Sequence, residues 1–460
     1  MRVGIALVMA LSLAGALFAQ EEATEPAAKS AFAFSGGIEL GADVLATGPD
    51  DADGNPTNES WTRFGFQPDF SFGKFGIGLD LSLRFQLYPA EGDDFEVYEG
   101  DWYLSDGDFF DYLDLYLSKV LYLRYGKKGE DPLFAKLGSI DDLSLGNGFI
   151  VGNYSNMRYL PQKRIFGLDF GVDGSLFGFP YVGFEALTGN LARLDVVGAR
   201  LFVRPLAGTE LPLLKNLQAG LSAAFDADPL LYDDAASDDE KDDADTMAAY
   251  GLDLTLPIRT DKLFPLVAFA DLATNPNDSF GAMTGVAGRL IGIFSYGAQL
   301  RFLQDGFIPG YFDANYDLYR AAKYYFMTNY DPESSFYVGW YASLGTSLIE
   351  DKLVFTAALD GPFASDDEGK QTDYPHLRAV FRFGEGLLGG FFFDASYEKY
   401  YIGAEDGFFE DLVDPTNSVA VLAVNYKTGA SVLTLKYNAV YDPDADEFNV
   451  SSSISASMKF

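Results

Sequence analysis

Apolar and polar residues alternate along most of this chain with the period of an extended strand. The clearest run is Ile77, Leu79, Leu81, Leu83, Phe85 and Leu87, interleaved with Gly78, Asp80, Ser82, Arg84 and Gln86. Successive side chains of a strand point to opposite faces, so this segment has one oily face and one wet face. Equivalent strands are predicted around residues 32–44, 64–72, 217–225, 250–256, 296–302, 336–344, 353–359, 377–383, 391–397, 433–439 and 450–460. Between residues 112 and 215 apolar residues are often consecutive and the pattern is weakest.

Connections alternate in length. Short ones fall near 73–76, 126–131, 258–262, 291–294, 349–352, 384–390 and 427–430; long ones fall near 89–110, 139–164, 227–246, 304–335, 361–374 and 402–417. In an up-and-down meander this puts every long loop at one rim and every tight turn at the other. The predicted fold is all-β, an antiparallel sheet of about 20 strands, within a range of 16 to 20, the count being even if both termini lie on one side.

An apolar face is core in a soluble sandwich and lipid-facing in a membrane barrel, so a single strand cannot separate the two. Charge does better. The long loops are acidic, as in EGDDFEVYEGDWYLSDGDFFD and DADPLLYDDAASDDEKDDADT, whereas Lys74, Lys127, Lys128, Arg259, Lys262, Lys352 and Lys427 gather at the short turns. A soluble protein has no reason to sort charge by loop parity.

The last twelve residues, NVSSSISASMKF, place Phe460, Met458, Ala456, Ile454 and Val450 on one face and Lys459, Ser457, Ser455, Ser453 and Ser451 on the other. This ending resembles the final strand of bacterial outer-membrane β-barrels, in which a terminal Phe after alternating apolar residues is the assembly signal. The resemblance implies one porin-like transmembrane barrel over residues 32–460. It also implies outer-membrane lipid and the barrel-assembly machinery as partners, with Phe460 and Met458 as the signal.

The start of the chain fits that destination. Arg2, then the apolar run VGIALVMALSLAGALFA, then Glu21 and Glu22 read as a signal peptide over residues 1–19, cleaved on export. A short periplasmic leader, 20–31, follows. No window of about 20 residues after it is uncharged, so helical membrane spans are not expected. A net charge of -36 excludes nucleic-acid partners. With 41 Phe and 28 Tyr the chain is too aromatic for disorder, and with no Cys it has neither disulfides nor thiolate metal sites.

Candidate chemistry lies in the lumen. Asp80, Arg84, Arg301, Arg378, Arg382, Asp394, Glu398 and Lys436 fall on polar faces and would line it, either as a transverse field that screens solutes or as cross-strand ion pairs that stiffen the wall. Residues 138–164 break the alternation with Asn147, Asn153 and Asn156 among glycines; this loop would fold inward as a constriction or lie on the surface as ordinary turns. Residues 305–330, with Tyr311, Phe312, Tyr316 and Arg320, would form a helical cap over a ligand or pack the loop against itself.

Residues 138–164 also resemble a Gly/Asn-rich stretch of spirochaetal outer-membrane proteins compared with long-chain fatty-acid transporters. That family carries a long N-terminal plug with Asn-Pro-Ala, whereas here about a dozen residues separate the leader's start from the first strand.

DDADGN at 50–55 and DPDADE at 442–447 lack the twelfth-position Glu of a calcium loop, so only weak divalent association is expected. His376 is the sole imidazole, and no nucleophile or phosphate motif accompanies it. The expected function is passive or ligand-selective diffusion of small solutes, without catalysis, cofactor or metal. A fatty-acid-type transporter and a non-conducting adhesin barrel are the alternatives.

Overall fold

The computed structural model describes residues 32–50, 56–86, 96–104, 107–160, 163–233, 235–330, 335–349, 352–364, 374–404, 407–414, 416–429, 431–442 and 447–459. The predicted signal peptide and leader, Phe460 and most of the two acidic loops at 50–55 and 442–447 lie outside these residues.

Among the described residues the chain builds one antiparallel sheet of twenty staves. They are β1 (Phe32–Asp50), β2 (Pro56–Phe72), β3 (Phe75–Leu79 with Leu81–Gln86), β4 (Glu96–Val97 with Val120–Tyr125), β5 (Leu133–Gly138), β6 (Gly167–Asp173), β7 (Val182–Thr188), β8 (Val196–Val203), β9 (Gln218–Asp226) and β10 (Met247–Arg259). The second half comprises β11 (Leu266–Thr274), β12 (Phe280–Leu290), β13 (Phe294–Gln304), β14 (Phe336–Leu348), β15 (Leu353–Pro362), β16 (His376–Leu388), β17 (Phe391–Lys399), β18 (Ser418–Thr428), β19 (Ser431–Asp442) and β20 (Glu447–Lys459).

Each stave pairs with its sequence neighbours, and β20 closes onto β1 from Gly37 opposite Lys459 to Val44 opposite Ser452. Closure leaves no sheet edge, which is what lets strands cross a bilayer without unpaired backbone groups. Across that seam Ile38 meets Met458, Leu40 meets Ala456 and Ala42 meets Ile454, while Glu39, Gly41 and Asp43 meet serines. The alternation predicted for both ends of the chain therefore agrees in register.

Burial settles which face is the oily one. Leu221, Leu252, Leu254 and Leu344 are 57%, 54%, 49% and 68% exposed, whereas their strand neighbours Ser222 and Asp253, and Arg200 on β8, are buried. A soluble sandwich would reverse this. An apolar exterior around a polar interior is the architecture of an outer-membrane β-barrel. Replacing Leu252 with Arg is accordingly expected to cost about 2–4 kcal/mol in lipid vesicles near the bilayer midplane, where a soluble surface would tolerate it. Urea unfolding of the vesicle-folded variant measures this, and an unchanged midpoint would refute a lipid-facing Leu252.

Tight turns mark one rim. Gly73, Gly389 and Gly429 adopt φ of 60°, 55° and 61°, the left-handed conformation that two-residue hairpins require. The longest connections cluster at the other rim, as the loop parity predicted, with two differences. Residues 189–195 and 275–279 are brief links at the long-loop rim, and residues 204–217 are an extended link at the short-turn rim. Residues 98–104 and 107–119, which include helix α1 (Phe109–Leu117), interrupt β4 and lean over the lumen. Trp102 Nε1 donates to the Ser82 carbonyl at 2.7 Å, taking the place of a strand partner.

Candidate functional site: a plugged lumen

Two long loops enter the barrel and pack against each other. In the first, Leu143 and Tyr154 exchange backbone hydrogen bonds of 3.0 and 2.8 Å, and Leu145 N donates to Val151 O at 3.1 Å, forming a small hairpin inside the wall. Asn153 and Gly148 sit at φ of 58° and 84°, which explains why Asn and Gly crowd this segment. The second loop lies alongside as a third strand: Gly152 N donates to Phe312 O, and Phe312 N to Ile150 O, both at 3.0 Å. These bonds pair the backbones of the two loops with each other inside the wall.

Side chains make the plug a core of its own. Phe149, Ile150, Phe307, Tyr311, Phe312 and Tyr316 are buried against Leu187, Val196, Met247, Met283 and Leu303 on the inner face of β7, β8, β10, β12 and β13. Phe307 occupies the space where a Cβ on Gly281 would sit, 2.5 Å away, so the glycine admits the ring. Where the plug seats, the wall is apolar on both faces, one for lipid and one for the plug, while Arg200, Asp253 and Asp271 keep the rest of this arc's inner face polar.

Polar anchors fix its ends. Asn156, 1% exposed, accepts from Ile140 N at 2.7 Å and donates to the carbonyls of Gly189 at 2.9 Å and Ile165 at 3.3 Å, tying the loop's start and finish to the wall. Asn147 donates to Asp271 at 2.6 Å and accepts from Thr255 at 2.9 Å. Asn153 N donates to Ser144 Oγ at 2.9 Å. The second loop continues into helix α3 (Tyr316–Asn329), following the short α2 (Asp238–Asp242) in chain order. On it Arg320 donates through Nε to Asp226 at 2.6 Å and through Nη1 to Asp195 at 2.8 Å, while Tyr316 donates to Asp226 at 2.7 Å. Opposite, Asn315 donates to Glu398 at 2.6 Å and to Tyr400 Oη at 3.0 Å. The four aromatic and basic residues singled out on this loop are therefore engaged by the chain itself.

Burial also shifts the plug's ionisable groups. Desolvation pushes Asp317 up to about 7, against the pull of the Arg320 charge; the phenol of Tyr154, fully enclosed, is raised well above its ordinary value for the same reason.

Open space remains on the other arc. A cavity of about 1140 Å³ runs from α1 at the long-loop rim to Arg382 and Asp394, the latter four residues from the short turn at 389–390. It brings together Asp80, Arg84, Arg382, Asp394 and Lys436 of the predicted lining. A second space of about 410 Å³ lies between plug and wall and holds Arg301, Arg378 and Glu398. Its His376 is stacked on Tyr400 and stands between Asp360 and Glu398, at 3.2 and 3.1 Å. No serine is among the hydrogen-bond partners described for that ring.

Several lining charges are paired. Arg84 bonds Asp43 at 2.7 Å and Asp101 at 2.6 Å, Arg382 bonds Asp394 at 2.6 Å, and Arg301 bonds Asp360. Arg63 stands directly opposite Arg84 in the β2–β3 register, a like-charge pair offset by Glu39 and Asp80 at 3.4 and 3.1 Å. Arg63 was within reach of sequence reasoning, since it alternates with Phe64 and Phe66. Lys119 and Arg164, which also line the cavity, come from irregular segments where no periodicity marks them.

No protein-family model matches the chain, and no curated protein matches it. Solved structures similar to it include three proteins of Pseudomonas aeruginosa. OpdO is 12% identical, with 93% of this chain and 97% of that one covered and a TM-score of 0.37. OccK8 (OprE) is 9% identical over 93% and 98%, with a TM-score of 0.35. OccK2 (OpdF), solved in complex with glucuronate, is 10% identical over 93% and 98%, with a TM-score of 0.31. Likenesses of this strength add nothing to what the barrel itself shows.

Proposed function

We propose that this protein is an outer-membrane channel through which small hydrophilic solutes diffuse, with the inward loops setting the width of the path. The observation that carries the reading is the cavity of about 1140 Å³ beside the plug, which runs from α1 to Asp394 and is lined by both basic and acidic side chains. The apolar side of the lumen is filled by the chain's own aromatic residues, so the free space adjoins charged and hydroxyl-bearing wall. That supports a hydrophilic cargo over a fatty acid. On this reading residues 1–19 direct export, residues 20–31 are a periplasmic leader, and residues 32–460 insert through the barrel-assembly machinery with Met458 and Phe460 as the signal.

The test is single-channel recording in planar bilayers, on the intact protein and on a variant in which residues 143–154 are replaced by a short glycine linker. Asn156 and Arg164 remain in that variant, so the wall contacts persist. Steady steps that become several-fold larger on excision are expected, because removing the hairpin joins the two cavities. A folded barrel that passes no current in either form would overturn the channel and favour a surface adhesin.

A further inference from the structure

The larger cavity holds more cationic capacity than its carboxylates consume. Eight basic and seven acidic side chains line it, in a chain whose net charge is -36. Asp101 is taken by Arg84, which also reaches Asp43 outside the lining; Asp111 is taken by Arg193, Asp114 by Lys163 at 3.1 Å, and Asp394 by Arg382. Asp80 is shared, bonding Arg63 at 3.1 Å and Arg164 Nη2 at 2.9 Å. Glu39, whose charge also reaches Lys436, is engaged by Arg63 and by Gln67 Nε2 at 3.1 Å.

Among the described residues Arg158 forms no ion pair but donates its Nε to the Ala314 carbonyl at 2.8 Å, and three other cations keep unused capacity. Arg164 keeps two buried donors, Nε and Nη1, with no hydrogen-bond partner. Among the described residues Lys436 has no ion pair, and Lys119 has none either, its ammonium lying 5.0 Å from the Trp102 ring. Buried N–H groups of a guanidinium are satisfied in nearly every folded protein, so a pair left open beside a cavity points to an acceptor from outside the chain. Asp141, the cavity carboxylate without an ion pair, acts on Arg382, away from this group.

We infer that Arg164, Lys436 and Lys119 form a binding site for a small anion bearing carboxylate or phosphate oxygens. Nε and Nη1 of Arg164 would each take an oxygen, and the lysines would add point charge. The site deepens the channel reading by naming its cargo as anionic, and it rests on that reading only for transport, not for binding.

Calorimetric titration of the detergent-folded full chain with succinate, and separately with inorganic phosphate, tests it. Saturable binding of one or both is expected, weakened about tenfold or more by Lys436→Gln and by Arg164→Gln, each of which removes a charge-assisted contact. Lys352→Gln, at the short-turn rim, should leave binding unchanged and controls for overall charge. Heat-modifiable migration of each variant confirms that the barrel has formed; Arg63 still holds Asp80 when Arg164 is changed. Binding of succinate and phosphate alike identifies a general oxyanion site, and binding of phosphate alone narrows it to phosphate-bearing cargo. Absence of binding to the folded wild type, or binding that neither variant weakens, overturns the site and leaves the cavity occupied by water. Binding without conductance would overturn the channel while sustaining the site.

Discussion

Arg320→Ala is expected to free the plug while leaving the barrel closed. The guanidinium is 2% exposed and is held by Asp195 and Asp226, themselves 3% and 0% exposed. Deleting it strands two carboxylates away from water, and breaking a buried pair in this way costs about 3–5 kcal/mol. None of that loss falls on the strand ladder, because Arg320 lies on α3 and the wall residues keep their backbone pairing. Limited proteolysis should therefore cut within residues 305–330 at a rate the wild type does not show, and channel steps should become larger and noisier. Arg320→Lys keeps the charge but not the forked geometry that reaches both carboxylates, so it should fall between the two. Unchanged protease resistance in Arg320→Ala would show that the apolar packing of Phe307, Tyr311 and Phe312 holds the plug without this anchor.

The plug should also loosen as the medium becomes alkaline. Burial raises Asp317 from an ordinary value of 3.8 to about 7, with Arg320 opposing the shift and Asp195 adding to it. Tyr154 donates to one of its oxygens at 3.1 Å, and the other has no partner. A raised acid favours the proton in the folded state. Its contribution is complete below about pH 4 and is lost as pH climbs through about 7, a change that linkage bounds at about 4 kcal/mol. Amide exchange of residues 143–154 and 310–320, compared at pH 5 and pH 8, should show faster opening at the higher pH. Asp317→Asn cannot ionise and should flatten that dependence. A variant as pH-sensitive as the wild type would assign the effect to another group.

Both expectations concern the part of the molecule that its sequence described least. Alternation at period two placed most of the strands outside residues 112–215, because a strand that separates lipid from a wet lumen must change polarity at each residue; β11, β12 and β18 were not among those it marked. Loop parity was enough to order the rims. The seam between β1 and β20 followed from the same rule, Ile38 and Met458 sharing one face with Leu40 and Ala456. Within 112–215 the rule failed for a physical reason. There Leu187 and Val196 turn apolar side chains to the plug beside apolar outward neighbours, so the period weakens at those ends of β7 and β8, while Glu185 and Arg200 keep it elsewhere.

What the sequence by itself determined is thus most of the wall: the strands that alternate cleanly, their approximate number and which end carries most of the long loops. Only the tertiary structure decided what fills the barrel. That the Asn-rich loop enters, that Phe312 completes its hairpin, and that Arg320 reaches Asp195 and Asp226 all depend on contacts between segments more than ninety residues apart. The surplus of cations at Arg164, Lys436 and Lys119 is of the same kind. Each charge is plain in the sequence, but whether a carboxylate lies within reach of it is a property of distance across a closed lumen.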